Sequence, residues 1–180
     1  MPGKIAVVSA DNRFLRWSDR EEIHAGRLPH RSANILLFDS LGRVVFQRRS
    51  PEKATWPDAW DLAVSGHVDE EDYHAGPEDE LEAVYERVAV REAREELGID
   101  VSGRLTPVAC YPPEPGVHYE HLALYRAVHD GPYVLQVEEV AEVRAFTWPE
   151  WRALVASGAR VTASLLWLLD RAGLDGAVDQ

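Results

Sequence analysis

Cysteine is almost missing from this chain. Cys110 is the single cysteine among 180 residues, so no disulfide can form within one copy of the chain. Disulfide-rich secreted scaffolds are therefore excluded, and one unpaired thiol is typical of a reducing compartment. We expect a cytoplasmic protein.

Long apolar runs are also missing. No stretch approaches the roughly 18 apolar residues that a membrane-spanning helix needs. The N-terminus has only a short apolar run before Asp11 and no small-residue cleavage site, so we expect neither a signal peptide nor a membrane partner. Hydrophobic residues make up 46% of the sequence, which is enough for a single domain spanning residues 1–180.

Positive charge is scarce. The chain has 31 acidic residues and 19 Lys and Arg residues, a net charge of −12. Residues 69–82 hold eight acids and no Lys or Arg, and removing those eight leaves −4. Such a chain repels a nucleic-acid backbone, so we expect no nucleic-acid partner. A small anionic ligand would need a metal ion or a local basic pocket to bind here.

The pattern of apolar runs and turn residues predicts an α/β fold. Strands are predicted at residues 4–9, 13–17, 33–38, 44–47, 61–65, 104–111, 119–128 and 140–146, with the turn DSLG at 39–42 forming a hairpin. Helical segments are predicted at 19–25, 80–97, 147–156 and 161–171, and a mobile loop from Gly66 to about Glu80. Residues 1–30 form an N-terminal extension, and residues 69–82 an acidic insert. This order favours a mixed sheet with helices on both faces.

Three glutamates fall on one face of the second predicted helix. The segment Arg91–Ile99 reads REAREELGI. At about 100° per residue, Glu92, Glu95 and Glu96 lie within a sector of roughly 100°. Carboxylates this close repel one another unless water or a cation lies between them. Mg²⁺ prefers such oxygen ligands, so the spacing is typical of a magnesium site.

The same residues also fit a solvated helix face without a function. Arg91 and Arg94 are near enough in sequence to pair with Glu95, and glutamate-rich helices are common. Two features favour a site. Gly98 stops the helix one turn beyond the glutamates, and a Gly-His loop beginning at Gly66 supplies a second wall.

Residues 91–99 resemble the second half of the Nudix box. They match its pattern Arg-Glu-apolar-x-Glu-Glu-x-Gly-apolar at every specified position. Gly66 matches the first glycine of the box, but about eleven extra residues separate it from Arg91. The first glutamate of the box therefore falls on Asp72 when counted forward, or near Glu82 when counted backward.

This resemblance implies a Nudix-like α/β/α sandwich with a mixed sheet, and hydrolysis of a diphosphate linkage with a divalent metal. Mg²⁺ is the expected cofactor, and Mn²⁺ is an alternative. Glu95 and Glu96 would bind the metal, Glu92 would be a ligand or the catalytic base, and Arg91 would orient a glutamate. Homodimers are frequent among proteins of this fold, so a homodimer is an alternative to a monomer.

A second resemblance is to the Nudix branch that contains type I isopentenyl-diphosphate isomerase. It covers residues 20–68, 131–151 and 164–170. Ser65 stands where the isomerase has its proton-donating cysteine, and a hydroxyl is a far weaker acid than a thiol. The missing thiol and the complete glutamate triplet favour hydrolysis over isomerisation.

The isomerase resemblance implies further site residues. Glu120 matches its catalytic glutamate. His30, His67 and His118 match metal-ligand positions and form a candidate second site, which neutral imidazoles would make suitable for Zn²⁺ or Mn²⁺. His24 lies one residue from another ligand position. Hydrogen-bonded structural histidines are the alternative explanation.

Arg48, Arg49 and Lys53 form a basic cluster at the end of a predicted strand. Arg49 and Lys53 match diphosphate-binding positions of the isomerase, and their charged groups suit phosphate oxygens. A surface charge cluster is the alternative. Trp56 and Trp60 flank the loop that enters the site, so they are the better aromatic candidates for substrate contact.

The sequence thus predicts a metal-dependent Nudix hydrolase acting on a small diphosphate substrate. Nucleoside di- and triphosphates and their conjugates are the leading substrate class. An isopentenyl-diphosphate isomerase-like enzyme and a non-catalytic nucleotide-binding module are the two alternatives. The box does not name the substrate, because specificity in this fold depends on loops and surface pockets.

Overall fold

The computed structural model describes residues 3–78 and 80–174. Within these ranges the chain forms nine strands and four helices. The strands are β1 (Ile5–Val8), β2 (Phe14–Ser18), β3 (His30–Phe38), β4 (Val44–Arg49), β5 (Trp60–Leu62), β6 (Val64–His67), β7 (Thr106–Tyr111), β8 (Glu120–Val128) and β9 (Val140–Phe146). The helices are α1 (Arg20–Gly26), α2 (Leu81–Leu97), α3 (Trp148–Ala156) and α4 (Ala163–Arg171).

Seven strands form one mixed sheet around β3. The strand order is β5-β4-β3-β8-β7, with β6 also paired to β3 and β9 paired to β4. β3 and β8 run parallel, and the other neighbours are antiparallel. The hairpin predicted around DSLG is confirmed, because Leu37 pairs with Val45 and the Asp39 carboxylate accepts two backbone N–H groups of the turn. β1 and β2 form a separate hairpin.

The two faces of the sheet bury alternate residues of the same strand. On β3, Ala33, Ile35 and Leu37 pack with α2, whereas Leu36 and Phe38 pack with α3 and α4. This alternation is the period-two pattern of a strand that is covered on both sides. The predicted α/β/α sandwich is confirmed.

The sequence predicted one strand at residues 61–65, but that strand is not continuous in the structure. It divides into β5, which pairs with β4, and β6, which pairs with β3. Because the chain changes partner there, Asp61 lies beside Gln47 while Ser65 lies beside Asn34.

The segment predicted as a loop from Gly66 to Glu80 contains more structure than expected. A 3-10 turn spans Glu70–Asp72 and is closed by reciprocal capping bonds. The fully buried Arg31 side chain donates to the Tyr73 hydroxyl and to the Pro77 carbonyl. A buried guanidinium needs such acceptors, so it anchors the acidic insert to β3.

Helix ends follow the predicted caps. Gly98 ends α2 in the left-handed conformation with φ 64°, which glycine adopts without steric cost. Thr147 and Glu150 form the predicted capping box of α3. The Thr162 hydroxyl caps α4, which therefore begins two residues later than predicted. In the described ranges, no helix has the length and apolar character needed to cross a membrane.

Candidate active site

A cavity of about 800 Å³ opens where β3, β6 and β8 meet α1, α2 and α4. One wall carries the glutamates of α2, and another carries leucines of β5, β8 and α4. Nine acidic and five Lys or Arg side chains line the cavity. An anionic ligand would therefore meet a negative surface unless cations accompany it.

The three predicted glutamates line this cavity at different depths. Glu92 and Glu96 are largely buried, whereas the Glu95 side chain is 53% exposed. Burial raises the pKa of Glu92 to about 7, and it raises the pKa of Glu96 well above its ordinary value. The charge of Glu92 adds to the shift at Glu96. Such a set of carboxylates is suited to share a divalent cation.

Gly66 allows β6 to pass close to Glu92. A Cβ atom on Gly66 would overlap the Glu92 side chain, so only glycine fits this contact. Because Gly66 points toward α2, its neighbours Ser65 and His67 point to the other face of the sheet. The backbone N–H of Ser65 lowers the pKa of the Glu96 carboxyl and so opposes the effect of its burial. Ser65, Gly66 and His67 all line the cavity.

Arg91 joins α2 to the acidic insert at residues 69–82. Its guanidinium donates to Glu92 at 2.8 Å and to Glu95 at 3.1 Å. Two further bonds reach the Asp72 carboxylate, at 3.1 and 3.0 Å. Glu82 is exposed in the first turn of α2, nine residues before Arg91, which is about 13 Å along the helix axis. The structure therefore brings Asp72, not Glu82, to Arg91.

A second group of potential metal ligands lies on the other face of β6. The ligand atoms of His30, His67 and Glu120 all lie within 4.8 Å of one another. The Nε2 atoms of both histidines face Glu120 Oε1, at 3.8 and 3.9 Å. His30 Nδ1 lies 2.8 Å from the Leu28 carbonyl and donates to it, which leaves Nε2 facing Glu120. Among the described residues, this buried Nε2 has no hydrogen-bond partner.

The strand order explains why these residues meet. β3 lies between β8 and β6, so that His30 pairs with Glu120 and Ser32 pairs with His67. His24 of α1 lies beside them, with its ring centroid 5.2 Å from that of His67. Burial lowers the pKa of both His24 and His67, and the neighbouring His30 lowers each further. The neutral imidazole, which is the metal-binding form, is therefore favoured.

His118 lies outside this close group, although it lines the same cavity and its buried Nε2 also has no hydrogen-bond partner among the described residues, so its role as a ligand stays a prediction. Its ring packs edge-on against Trp167 with the centroids 4.7 Å apart. Its Nδ1 accepts the backbone N–H of Glu120 at 3.4 Å, which holds the imidazole in this position. Glu120, two residues later, takes the third place beside His30 and His67.

The predicted basic cluster is divided by the strand. Arg49 and Lys53 line the cavity, but Arg48 does not. Successive residues of a strand point to opposite faces, and the Arg48 side chain pairs instead with Glu142 and Asp58. The structure therefore separates Arg48 from the two other predicted substrate-binding residues.

Both cationic side chains have acidic partners that the sequence did not reveal. Arg49 donates to the Asp61 carboxylate at 3.3 Å, and the Lys53 ammonium contacts the Glu139 carboxylate. Burial raises the pKa of Asp61, and the positive charge of Arg49 opposes that shift. The only sequence signal for Asp61 and Glu139 is an acid beside a predicted strand end.

The two tryptophans near the site differ in environment. Trp56 is 43% exposed and lines the cavity. Trp60 is buried and packs edge-on against Phe146, with the centroids 5.1 Å apart. The prediction that Trp60 contacts substrate is therefore wrong, because that side chain belongs to the core under α3 and α4.

Comparison with known families fits this geometry. The profile of the NUDIX domain matches residues 28–165, which include α2 and every strand of the seven-stranded sheet. The chain belongs to the Nudix family. The match begins after α1, so the β1–β2 hairpin of this Nudix protein lies outside it. Family membership supports a hydrolase acting on diphosphate-containing substrates.

Relatives of this Nudix protein cover most of its length. The uncharacterised Nudix hydrolase PA4841 of Pseudomonas aeruginosa is 35% identical over 152 residues, which cover 79% of the chain and 82% of the relative. A prenyl-diphosphate phosphatase of Methanosarcina mazei is 32% identical over 116 residues, covering 64% of the chain and 61% of that protein. The crystal structure of DR0079 from Deinococcus radiodurans has a TM-score of 0.77 at 23% identity, covering 94% and 98% of the two chains. At that identity, the likeness to DR0079 shows the fold alone.

Proposed function

We propose that this Nudix protein hydrolyses a diphosphate linkage of a small substrate with Mg²⁺ held by Glu92, Glu95 and Glu96. The observation that carries the proposal is that all three carboxylates line one acidic cavity. Their oxygen atoms fit a small divalent cation, for which Mn²⁺ could substitute. When bound, such a metal polarises phosphoryl oxygens and lowers the pKa of a water molecule.

The charge of the cavity supports metal dependence. Four more acids than Lys and Arg residues line it, and a diphosphate group would add further negative charge. Repulsion at short range in a partly buried site is costly, so the substrate must enter together with cations. A divalent ion on the α2 glutamates offsets both the carboxylates and the diphosphate.

The side chains of this site have separate roles in the proposed reaction. Arg91 holds Glu92 and Glu95 through two of its hydrogen bonds, which fixes their carboxylates before the metal binds. Glu92 is a ligand or the base that accepts a proton from the attacking water. Arg49 and Lys53 bind the diphosphate, exchanging their carboxylate partners for phosphoryl oxygens.

His30, His67 and Glu120 form the proposed second metal site, with Zn²⁺ or Mn²⁺ as the expected ion. The buried Nε2 of His30 has no hydrogen-bond partner in the described ranges, and it faces a carboxylate oxygen. A buried imidazole nitrogen placed beside a carboxylate oxygen is suited to bind a cation. Glu120 is accordingly assigned to metal binding, with proton transfer as its role only in an isomerase-type reaction.

Nucleoside di- and triphosphates are the first substrate class to test, and prenyl diphosphates the second. Leu62, Leu122, Leu165 and Leu168 line the cavity on the face away from α2 and offer an apolar surface. The relative from Methanosarcina mazei is described as a prenyl-diphosphate phosphatase. These two observations favour prenyl diphosphates as the second class.

Isomerisation of a prenyl diphosphate is the alternative reaction at the same cavity. Ser65 lines the cavity at the position that matches the isomerase cysteine. A hydroxyl proton is too weakly acidic to protonate an alkene without strong assistance. Ser65→Cys tests whether only this acid is missing: isomerised product in the variant alone would support membership of the isomerase-like branch.

The function is tested by measuring phosphate and diphosphate release over a panel of nucleotide, sugar, dinucleotide and prenyl diphosphates, with Mg²⁺ and with a chelator. We expect metal-dependent turnover of at least one compound, and its loss in Glu95→Gln. If the wild type binds nucleotides but hydrolyses nothing on the panel, and Glu95→Gln binds equally well, the protein is a nucleotide-binding module.

A further inference from the structure

Three polar residues follow one another on one face of β3. His30, Ser32 and Asn34 alternate with residues that pack under α2, so their side chains point to the same side as Glu120 of β8. Ser32 and Asn34 are 1% and 2% exposed. Polar side chains at such depth are unfavourable unless they are hydrogen-bonded, and Leu36 continues the same face as an apolar residue.

Two hydrogen bonds join Asn34, Ser32 and Glu120 in series, and both are donated toward Glu120. Asn34 Nδ2 donates to Ser32 Oγ at 3.0 Å, and Ser32 Oγ donates to Glu120 Oε2 at 2.8 Å. A serine hydroxyl has one proton. Because the amide supplies the proton between Asn34 and Ser32, the hydroxyl proton of Ser32 is left for the carboxylate.

The two carboxylate oxygen atoms of Glu120 have different partners. Oε2 accepts from Ser32, whereas Oε1 faces His30 Nε2 and His67 Nε2 at 3.8 and 3.9 Å. Rotation of the carboxylate would break the bond to Ser32, so Oε1 is held toward the imidazoles. A preset ligand orientation is how outer hydrogen bonds strengthen a metal site.

We propose that Ser32 and Asn34 are positioning residues that orient Glu120 as a ligand in the site of His30 and His67. This inference rests on the second metal site of the proposed function. Ser32 acts directly on the carboxylate, and Asn34 acts through the direction of the Ser32 hydroxyl. Both residues contribute to metal affinity without touching the metal.

The test is calorimetric titration of metal-free protein with Zn²⁺. We expect Ser32→Ala to weaken Zn²⁺ binding by about 10- to 100-fold, which is the usual effect of losing a bond to a metal ligand. Asn34→Leu should weaken binding in the same direction by a smaller factor. Asn34→Asp replaces the donor by an acceptor, draws the Ser32 proton away from Glu120, and should weaken binding at least as much as Asn34→Leu.

Two further variants serve as controls. Ser164→Ala removes a hydroxyl that lines the cavity but bonds to Thr162 rather than to the histidine group, so it should bind Zn²⁺ as tightly as the wild type. Glu120→Gln removes the ligand itself and should lose most of the affinity. Thermal unfolding of each metal-free variant confirms that the fold is retained.

The outcomes separate the inference from the proposed function. If Glu120→Gln loses Zn²⁺ while Ser32→Ala and Asn34→Leu bind like the wild type, the positioning role is overturned and the metal site stands. If the wild type binds no Zn²⁺, both the site and the positioning role are overturned. Mg²⁺-dependent hydrolysis is measured on the same preparations, so failure of the hydrolase proposal is seen independently.

Discussion

Arg91 and Asp72 lie 19 residues apart in sequence and are joined by two hydrogen bonds of 3.1 and 3.0 Å. The same guanidinium also holds Glu92 and Glu95. The acidic insert is therefore linked through Arg91 to the carboxylates of Glu92 and Glu95 on α2. The 3-10 turn at Glu70–Asp72 lies in this segment and ends at the residue whose carboxylate meets Arg91.

Asp72→Asn should lower kcat because the amide cannot hold Arg91 through two ionic hydrogen bonds. Small displacements of a catalytic group reduce rates by about 100-fold, and we expect a loss approaching that value. Steady-state kinetics on the substrate found in the panel give the measurement. Glu82→Gln is the matched control, since Glu82 is exposed and distant from Arg91. Equal losses in the two variants would contradict this assignment.

Gly66→Ala should be far more harmful than its size suggests. The added methyl group would overlap the Glu92 side chain, so the glutamate or the strand must move. We expect about a 100-fold loss of kcat. Gly42→Ala is the control, because Gly42 has φ 78° and no atom within 4 Å of an added Cβ. That variant should lose about 1 kcal/mol of stability and no activity.

Replacement of Arg49 or Lys53 by Met should raise KM more than it lowers kcat. Each side chain lines the cavity and offers a charged group to phosphoryl oxygens. Loss of one charged hydrogen bond corresponds to about 10- to 100-fold in KM. Arg48→Met should change KM little, since Arg48 pairs with Glu142 and Asp58 outside the cavity. A larger effect at Arg48 than at Arg49 would refute the division of the basic cluster.

Trp60→Ala should destabilise the protein by about 3–5 kcal/mol, the usual result of removing a buried tryptophan. Trp56→Ala should change the free energy of unfolding by under about 1 kcal/mol, because that side chain is 43% exposed. Urea denaturation of both variants provides the comparison. Similar destabilisation by the two substitutions would show that Trp56 is part of the core as well.

Local patterns explain how much could be predicted from sequence. The spacing of Glu92, Glu95 and Glu96, the stop at Gly98 and the cap at Thr147 all depend on residues within a few positions. The hydrophobic periodicity predicted the layers of the sandwich because it, too, depends only on residues close together in sequence.

Contacts between distant segments explain what could not be predicted. His30 and Glu120 meet because β3 and β8 are parallel neighbours 90 residues apart in sequence, a pairing that no local pattern specifies. Glu120 rather than His118 lies close to both His30 and His67 because Glu120 is the residue that pairs with His30. The partners of Arg49 and Lys53, Asp61 and Glu139, come from separate strands or turns and carried no motif.

Hydrolysis of the panel substrate as a function of Mg²⁺ concentration, compared between the wild type and Glu96→Gln, tests the central claim most directly. Glu96 is the most buried carboxylate of the α2 set, so its loss should weaken metal binding strongly. We predict turnover that disappears with a chelator in the wild type, and a rate at least about 100-fold lower in Glu96→Gln at the same Mg²⁺ concentration. Full turnover in the chelator, or an unchanged rate in Glu96→Gln, would contradict the account.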